Sequence, residues 1–470
     1  MKNSREIRKL QKTSYTEDWT WQVGVELQET MGVHSISTAY ESRKDDGKFY
    51  ADKLLEEILD GDNLRMAFKR VKSNKGSHGV DGMKVDELTQ FLKQNIGTLK
   101  KSILEGTYRP KPVRRVEIPK PDGGIRLLGI PTVVDRMIQQ AIAQILSPKF
   151  EKTFSENSYG FRPKRDAKQA IIKAKEYIEQ GNKWVVDIDL AKYFDTVNHD
   201  KLMALVAREI KDKRVLKLIR LFLQSGVMIN GVYIDTEEGC PQGGPLSPLL
   251  SNIVLTEFDR ELEKRGHKFC RYADDSNIYV KSKRAGERVM ASATKFLEEK
   301  LKLRVNRDKS AVDRPWKRKF LGFTFYQFYG KVGIRVHQKS IDKFKNKIKD
   351  ITTRSSGKSM DYRMEKLKQC IIGWINYFRI ADISKVTKEL DEWTRRRVRM
   401  CFWKQWKRIK TKYDNLKRLG ASEQKAWEYA NTRKGYWRIS NSPILSTTLT
   451  NTYLENIGYK SIHKRYKQVH

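Results

Sequence analysis

The 470-residue chain has little cysteine. Cys240, Cys270, Cys370 and Cys401 include no CxxC pair. That excludes a disulfide framework, points to a reducing compartment and argues against a zinc module. No apolar run approaches the ~18 residues of a membrane span, and the N-terminus lacks an apolar signal core, so a cytoplasmic protein is expected. Acidic residues are scarce, with 57 Asp plus Glu against 95 Lys plus Arg and a formal charge of +38. A chain this basic faces a polyanion, nucleic acid before any other. Ribosomal and packaging proteins share the bias, so charge alone names no reaction. Internal repeats and low-complexity linkers are also missing.

Most informative among what is present is Phe269-Cys-Arg-Tyr-Ala-Asp274-Asp275-Ser-Asn-Ile-Tyr-Val280. Apolar and aromatic residues flank two adjacent carboxylates with no Pro or Gly, which predicts two short strands and a tight turn at Ala273–Asp275. A bare acid pair is ordinarily a solvated hairpin tip. Held rigidly beside further acids it becomes a divalent-cation site, because the ion offsets both repulsion and desolvation. Trp184-Val-Val-Asp187-Ile-Asp189-Leu190 alternates with period two, which predicts a strand with Asp187 and Asp189 on one face. Phe194 follows five residues after Asp189.

Along the chain, helical spacing is expected from Ala51 through Val71, then a glycine-punctuated loop from Asn74 to Gly82 and a helix over Val85 to Leu104. Val113 to Ile130 reads as a hairpin whose turn is bracketed by Lys120 and Arg126, two cations suited to a triphosphate. Ile138 to Ile142 reads as the opening of a helix. Gly239 to Pro248 holds three prolines and three glycines in ten residues and cannot be regular, but it leads into an apolar helix from Leu249 to Leu262. Phe320 to Tyr326 reads as an aromatic strand. From Lys331 to His470 there are 34 Lys plus Arg against 12 Asp plus Glu, more than half the excess charge, and six of the ten tryptophans. Leu367, Ile371, Trp374 and Phe378 have helical spacing, as do Leu390, Trp393, Val398 and Cys401. A helical domain with basic faces at Arg395, Arg396, Arg397, Lys404 and Lys407 follows, its charges facing RNA or DNA.

Together these stretches resemble the group II intron-encoded reverse transcriptases with maturase activity, most closely the compact bacterial class C type. The matching stretches are Lys120 to Arg126, Ser158-Tyr-Gly-Phe-Arg162, Asp189 to Asp195, Pro241-Gln-Gly-Gly-Pro-Leu-Ser-Pro248, Tyr272-Ala-Asp-Asp275, Lys309 after Leu303 to Asn306, Phe320-Leu-Gly-Phe323, and Gly373-Trp-Ile-Asn-Tyr-Phe378. They span about residues 52 to 440.

The resemblance implies an α+β right-hand polymerase followed by an all-helical thumb. It divides the chain into an N-terminal extension (1–50), fingers with a template-contacting insertion (51–180), palm (181–330), thumb or maturase domain (331–440) and a basic tail (441–470). It implies two Mg²⁺ ions, replaceable by Mn²⁺, on Asp189, Asp274 and Asp275, with Asp187 behind them. It assigns Lys120 and Arg126 to the triphosphate of a dNTP, and Phe194, Gln242 and Tyr272 to the nucleotide's surroundings. Phe194 would exclude a 2′-hydroxyl. Lys309 would protonate pyrophosphate, Arg162 would contact nucleic acid, and Phe320 to Tyr326 would grip the primer. The implied partners are intron RNA, an RNA template with its DNA primer, and target DNA, with no membrane and an undetermined oligomeric state. Two alternatives stand beside this: a splicing factor with an inert polymerase fold, and the reverse transcriptase of a non-intron retroelement or defence system. The family's larger members end in a Cys/His-bearing endonuclease. No cysteine follows Cys401, so priming from nascent strands or existing DNA ends is expected.

Overall fold

The computed structural model describes residues 53–119, 124–229 and 231–470. The N-terminal extension and Lys120 lie outside the described residues. The described chain falls into two compact units that divide between Arg314 and Pro315.

The first unit is built on two four-stranded sheets. One has the order β2-β1-β4-β5, with β1 (Val113–Pro119), β2 (Ile125–Ile130), β4 (Val227–Ile229) and β5 (Val232–Ile234). β1 and β2 form the expected hairpin, Arg114 opposite Ile130 through Pro119 opposite Ile125, and β1 runs parallel to β4. The other sheet has the order β6-β7-β3-β8, with β3 (Trp184–Ile188), β6 (Lys268–Tyr272), β7 (Asp275–Val280) and β8 (Ala311–Asp313), and every pairing in it is antiparallel.

Two helices supply most of this unit's core. The helix Val133–Glu151 starts five residues before the expected Ile138, because Thr132 caps it by accepting from the Asp135 N–H at 3.1 Å. It buries Met137, Ile138, Ala141, Ile142, Ile145 and Leu146. The helix Ser247–Lys264, with Pro248 tolerated in its first turn, buries Leu250, Ile253, Val254, Phe258 and Leu262. The helix is buried on its other side too, and there it carries the polar residues Asn252 and Asp259, two turns apart and in line with each other. Val85–Glu87 is a 3₁₀ turn leading into the helix Leu88–Leu104.

The second unit opens with a hairpin of β9 (Phe323–Phe328) and β10 (Lys331–Val336) and is otherwise helical. The aromatic strand begins three residues later than its sequence suggests. Leu321 and Gly322 take φ of +51° and +86°, turning the chain so that Phe320 bonds back to Phe323. The hairpin is packed on the helix Met360–Phe378, within the same unit as the helices. The Tyr326 hydroxyl donates to Asp382 at 3.0 Å, and Phe323 lies 4.9 Å from the Phe378 ring. That helix and Ser384–Gln405 carry the expected apolar faces, with Leu367, Ile371, Trp374, Leu390, Val398 and Cys401 buried.

Residues 441–470 are not a tail. They form three helices, Pro443–Thr448, Asn451–Asn456 and Ile462–Val469, that bury Leu445, Leu454, Ile462 and Tyr466. Asp391 ties the last turn of chain down. It accepts from the Tyr459 hydroxyl, the Ser461 hydroxyl and the Ile462 N–H at 2.7, 2.7 and 2.9 Å.

Candidate active site

The hairpin register decides where the acids go. Tyr272 pairs with Asp275, which leaves Ala273 and Asp274 as a two-residue turn. Ala273 takes φ +56°, the left-handed first position that matches a turn to the twist of its strands. β3 lies against β7, its last pair being Ile188 with Ser276. One residue further, the same register sets Asp189 opposite Asp275. Strand pairing alone therefore gathers three acids, far apart in sequence, at one end of a sheet. Asp189 is fixed from its other side as well. Its N–H donates to Ser310 Oγ at 3.0 Å and its carbonyl accepts from the Asn306 N–H at 2.8 Å. Lys309, exposed, belongs to that Asn306–Ser310 turn.

Asp274 is half-buried and Asp275 exposed. Burial pushes the Asp274 carboxyl above its ordinary range and the charge of Asp189 adds to that; a backbone hydrogen bond and the positive charges of Arg126 and Arg271 act the other way. Crowded carboxylates of this kind are stabilised by a bound cation. The donors are all hard oxygens, the set that suits a small divalent ion, so the residues fit one. Among the described residues no three His, Cys, Asp or Glu side chains close around a common point that would hold a metal ion. The three acids share a strand end without forming a finished cage.

The nucleotide-side residues are stapled to one another through backbone bonds. Phe194 sits on the 3₁₀ turn Tyr193–Asp195, half-buried and edge-on to Tyr193 at 5.2 Å. Its carbonyl accepts from the Cys240 N–H at 2.6 Å, and the Gly239 N–H donates to Val197 at 2.7 Å. Further along this loop the Gln242 carbonyl accepts from the Gly129 N–H at 2.9 Å. A Cβ on Gly243 would sit 2.5 Å from the Gly129 carbonyl oxygen, and one on Gly244 would sit 2.3 Å from Gln139 Oε1. At Gly243, with backbone in the way and φ at +134°, only glycine permits that approach. The loop thus joins the Phe194 turn to β2, the strand that carries Arg126, whose charge reaches Asp274. Tyr272, half-buried, closes β6 just before the acid turn.

Two arginines expected at nucleic acid are structural instead. Arg162 is buried, and its guanidinium is consumed by Glu151 at 2.7 to 3.2 Å and by the carbonyls of Ser155 and Ser158. Arg397 donates from Nε to Thr352 Oγ1 at 2.6 Å and from its terminal nitrogen to the Lys349 carbonyl, clamping the end of the helix Gln338–Ile351. Of the remaining basic residues, Arg395 pairs with Asp391 and Arg396 stacks 3.9 Å from the Trp437 ring. Lys404 lies over Tyr436 at 5.0 Å, and Lys407 is exposed. Sequence reasoning missed Arg271, Asn252, Asp259 and Gly160, which lie beneath the acid turn. The available signal was two polar residues at seven-residue spacing inside an apolar helix.

Comparison with known proteins identifies the family. Residues 118–325 match the reverse transcriptase (RNA-dependent DNA polymerase) family model, and residues 341–420 match the group II intron maturase-specific domain. The protein YkfC of Escherichia coli strain K12 is 36% identical over 300 residues, covering 55% of this chain and 79% of YkfC. The chain belongs to the group II intron reverse transcriptases. It is an RNA-directed DNA polymerase with a maturase-specific domain in its second unit. The group II intron-encoded protein LtrA of Lactococcus lactis subsp. cremoris is 38% identical over 220 residues, which cover 47% of this chain and 36% of LtrA. The putative COX1/OXI3 intron 2 protein of Saccharomyces cerevisiae is 34% identical over 258 residues, covering 53% of this chain and 29% of that protein. The chain therefore spans most of YkfC but about a third of the two longer relatives. Among the described residues no helix is long and apolar enough to cross a membrane.

Proposed function

We propose that this chain copies intron RNA into DNA at the end of β3 and the β6–β7 turn, and that its helical unit binds the folded intron to assist splicing. The observation that carries the first half is the register that sets Asp189 opposite Asp275, with Asp274 in the adjoining turn. In this reading Asp189, Asp274 and Asp275 hold Mg²⁺, with Mn²⁺ able to replace it. When bound, the two ions supply charge stabilisation to the attacking 3′-oxygen and the leaving pyrophosphate.

The chain's own residues do the rest. Arg126 and Lys120 neutralise the triphosphate of an incoming dNTP, and Arg126 already biases Asp274 toward its charged form. Phe194, fixed from below by Tyr193 and from the side by Cys240, presents a ring where a ribose 2′-hydroxyl would lie. Gln242 borders the nascent pair, and Tyr272 supports the turn. Lys309, on the turn that holds Asp189, gives a proton to pyrophosphate in this reading. In this reading the loop after Asn74 meets template. Arg114 bonds the His78 carbonyl and Ser77 Oγ, and Arg136 bonds the Ser77 carbonyl, so the loop is held as a defined surface.

For the helical unit, charge decides. Lys404, Lys407, Arg395 and Arg396 belong to the segment 331–470, which carries more than half of the chain's positive excess. Phosphate contacts of this kind recognise folded RNA by shape and lose affinity steeply as salt rises. Target DNA is a further partner for the same basic faces. Primer extension on an RNA template with Mg²⁺ tests the first half: Asp274→Ala should give no product, and product at the wild-type rate would refute the assignment.

A further inference from the structure

Asp274 departs from a turn whose backbone is held from beneath by a buried polar assembly. Arg271, two residues before Ala273, is fully buried, as is Asp259. Its guanidinium grips Asp259 with two bonds, Nε to Oδ1 at 2.7 Å and a terminal nitrogen to Oδ2 at 2.6 Å. The other terminal nitrogen donates to Asn252 Oδ1 at 2.9 Å and to the Ala273 carbonyl at 3.0 Å. Asn252 in turn donates to the Gly160 carbonyl at 2.8 Å. The backbone of Arg271 is bound on both sides by the preceding loop: its N–H donates to Asn157, and its carbonyl accepts from Tyr159, both at 2.9 Å. Arg162 locks that loop through the Ser155 and Ser158 carbonyls. Gly160 is thereby brought against the turn so closely that a Cβ would lie 2.3 Å from the Ala273 nitrogen and 3.0 Å from the Tyr272 carbonyl carbon.

We propose that Arg271, Asn252 and Gly160 are positioning residues for the acid turn, with Asp259 as the anchor that aims the arginine. The inference rests on Asp274 being the acid that serves polymerisation. The Ala273 carbonyl belongs to the peptide linking Ala273 to Asp274, so the bond from Arg271 sets the plane from which the Asp274 side chain leaves. Stability does not call for such a device, since apolar residues of similar volume commonly replace a buried ion pair without loss. A rigid guanidinium fork supplies direction, with each donor aimed at a defined acceptor. Direction matters here because the turn holds a non-glycine residue at positive φ and two mutually repelling acids, and both work against a single fixed geometry.

The test uses the full chain. Gly160→Ala places a methyl against the turn without altering any charge. Asn252→Leu removes the link between Gly160 and Arg271. The double variant Arg271→Met with Asp259→Leu removes the fork while leaving no lone buried charge. For each, single-nucleotide addition on an RNA template with a DNA primer is measured beside template–primer affinity, thermal unfolding and Mn²⁺ binding followed by electron paramagnetic resonance. Displacement of a reacting group by about 1 Å costs on the order of a hundredfold in rate, so addition should fall by about that factor in Gly160→Ala. Template–primer affinity should hold, the protein should stay folded at the assay temperature, and Mn²⁺ occupancy should move to higher concentration. Addition at wild-type rates in the folded variants, or rates that fall only in step with the folded fraction, would overturn the proposal. If Gly160→Ala fails to fold, the other two variants carry the same comparison. Asp274→Ala separates the two ideas. Activity in that variant would sink the site assignment, whereas an inactive Asp274→Ala beside an active Gly160→Ala would sink only the positioning role.

Discussion

Two hairpins, one in each unit, are built to opposite specifications. The β6–β7 hairpin has a two-residue tip, Ala273 and Asp274, fixed from below by the Arg271 guanidinium and the Gly160 backbone. The β9–β10 hairpin is anchored midway along its strands, where Asp382 accepts from Tyr326 and the Ile334 N–H. Its tip carries Phe328 and Tyr329, which are 65% and 90% exposed and stacked edge-on at 4.5 Å. The contrast separates two uses of the same motif. A tip that must place charged groups to a fraction of an ångström is underpinned by directional bonds. A tip left in solvent is held only through bonds further down its strands.

Predictions that break or sharpen this contrast run from large to small. The largest is Asp274→Ala, where extension should fall to background while the protein stays folded, as circular dichroism would check. Next is Arg162→Ala. It strands the carbonyls of Ser155 and Ser158 and leaves Glu151 without its partner, and breaking a buried pair of this kind costs about 3 kcal/mol. The unfolding temperature should therefore drop clearly; an unchanged melt with weakened RNA binding would restore Arg162 to the nucleic-acid surface. Phe194→Ala should raise ribonucleotide incorporation relative to deoxyribonucleotide, read from paired kcat/KM values, with no comparable change in primer affinity. Replacing Lys404 and Lys407 together by alanine should weaken intron RNA binding and lower the slope of log affinity against log salt by about 0.7 to 0.9 for each phosphate no longer neutralised. The smallest effect is expected for Tyr329→Ala, whose stability should stay within about 0.5 kcal/mol of wild type.

The local features were legible in the sequence. Alternation over Trp184 to Leu190 predicted β3, which ends two residues earlier at Ile188, and the apolar stretches flanking Asp274 and Asp275 predicted the hairpin, because both patterns are local. Spacing at Leu367, Ile371, Trp374 and Phe378 likewise gave a helix with the correct buried face. What could not be read was which cations are internal. Arg162 and Arg271 look like any other basic residue, and only partners brought near by the fold, Glu151 and Asp259, show them to be structural. Composition misled at the C-terminus. Residues 441–470 carry few acids, yet Leu454, Ile462 and Tyr466 are buried, and Asp391 holds Tyr459, Ser461 and Ile462. The late start of β9 reflects Gly322, whose positive φ turns the chain where aromatic content alone suggested a continuous strand.

The most direct measurement is single-turnover nucleotide addition by Asp189→Asn on a pre-bound RNA template and DNA primer. If Asp189 serves with the turn acids as one site, the rate collapses while template–primer affinity is kept. Addition at the wild-type rate would show that the end of β3 takes no part in the chemistry.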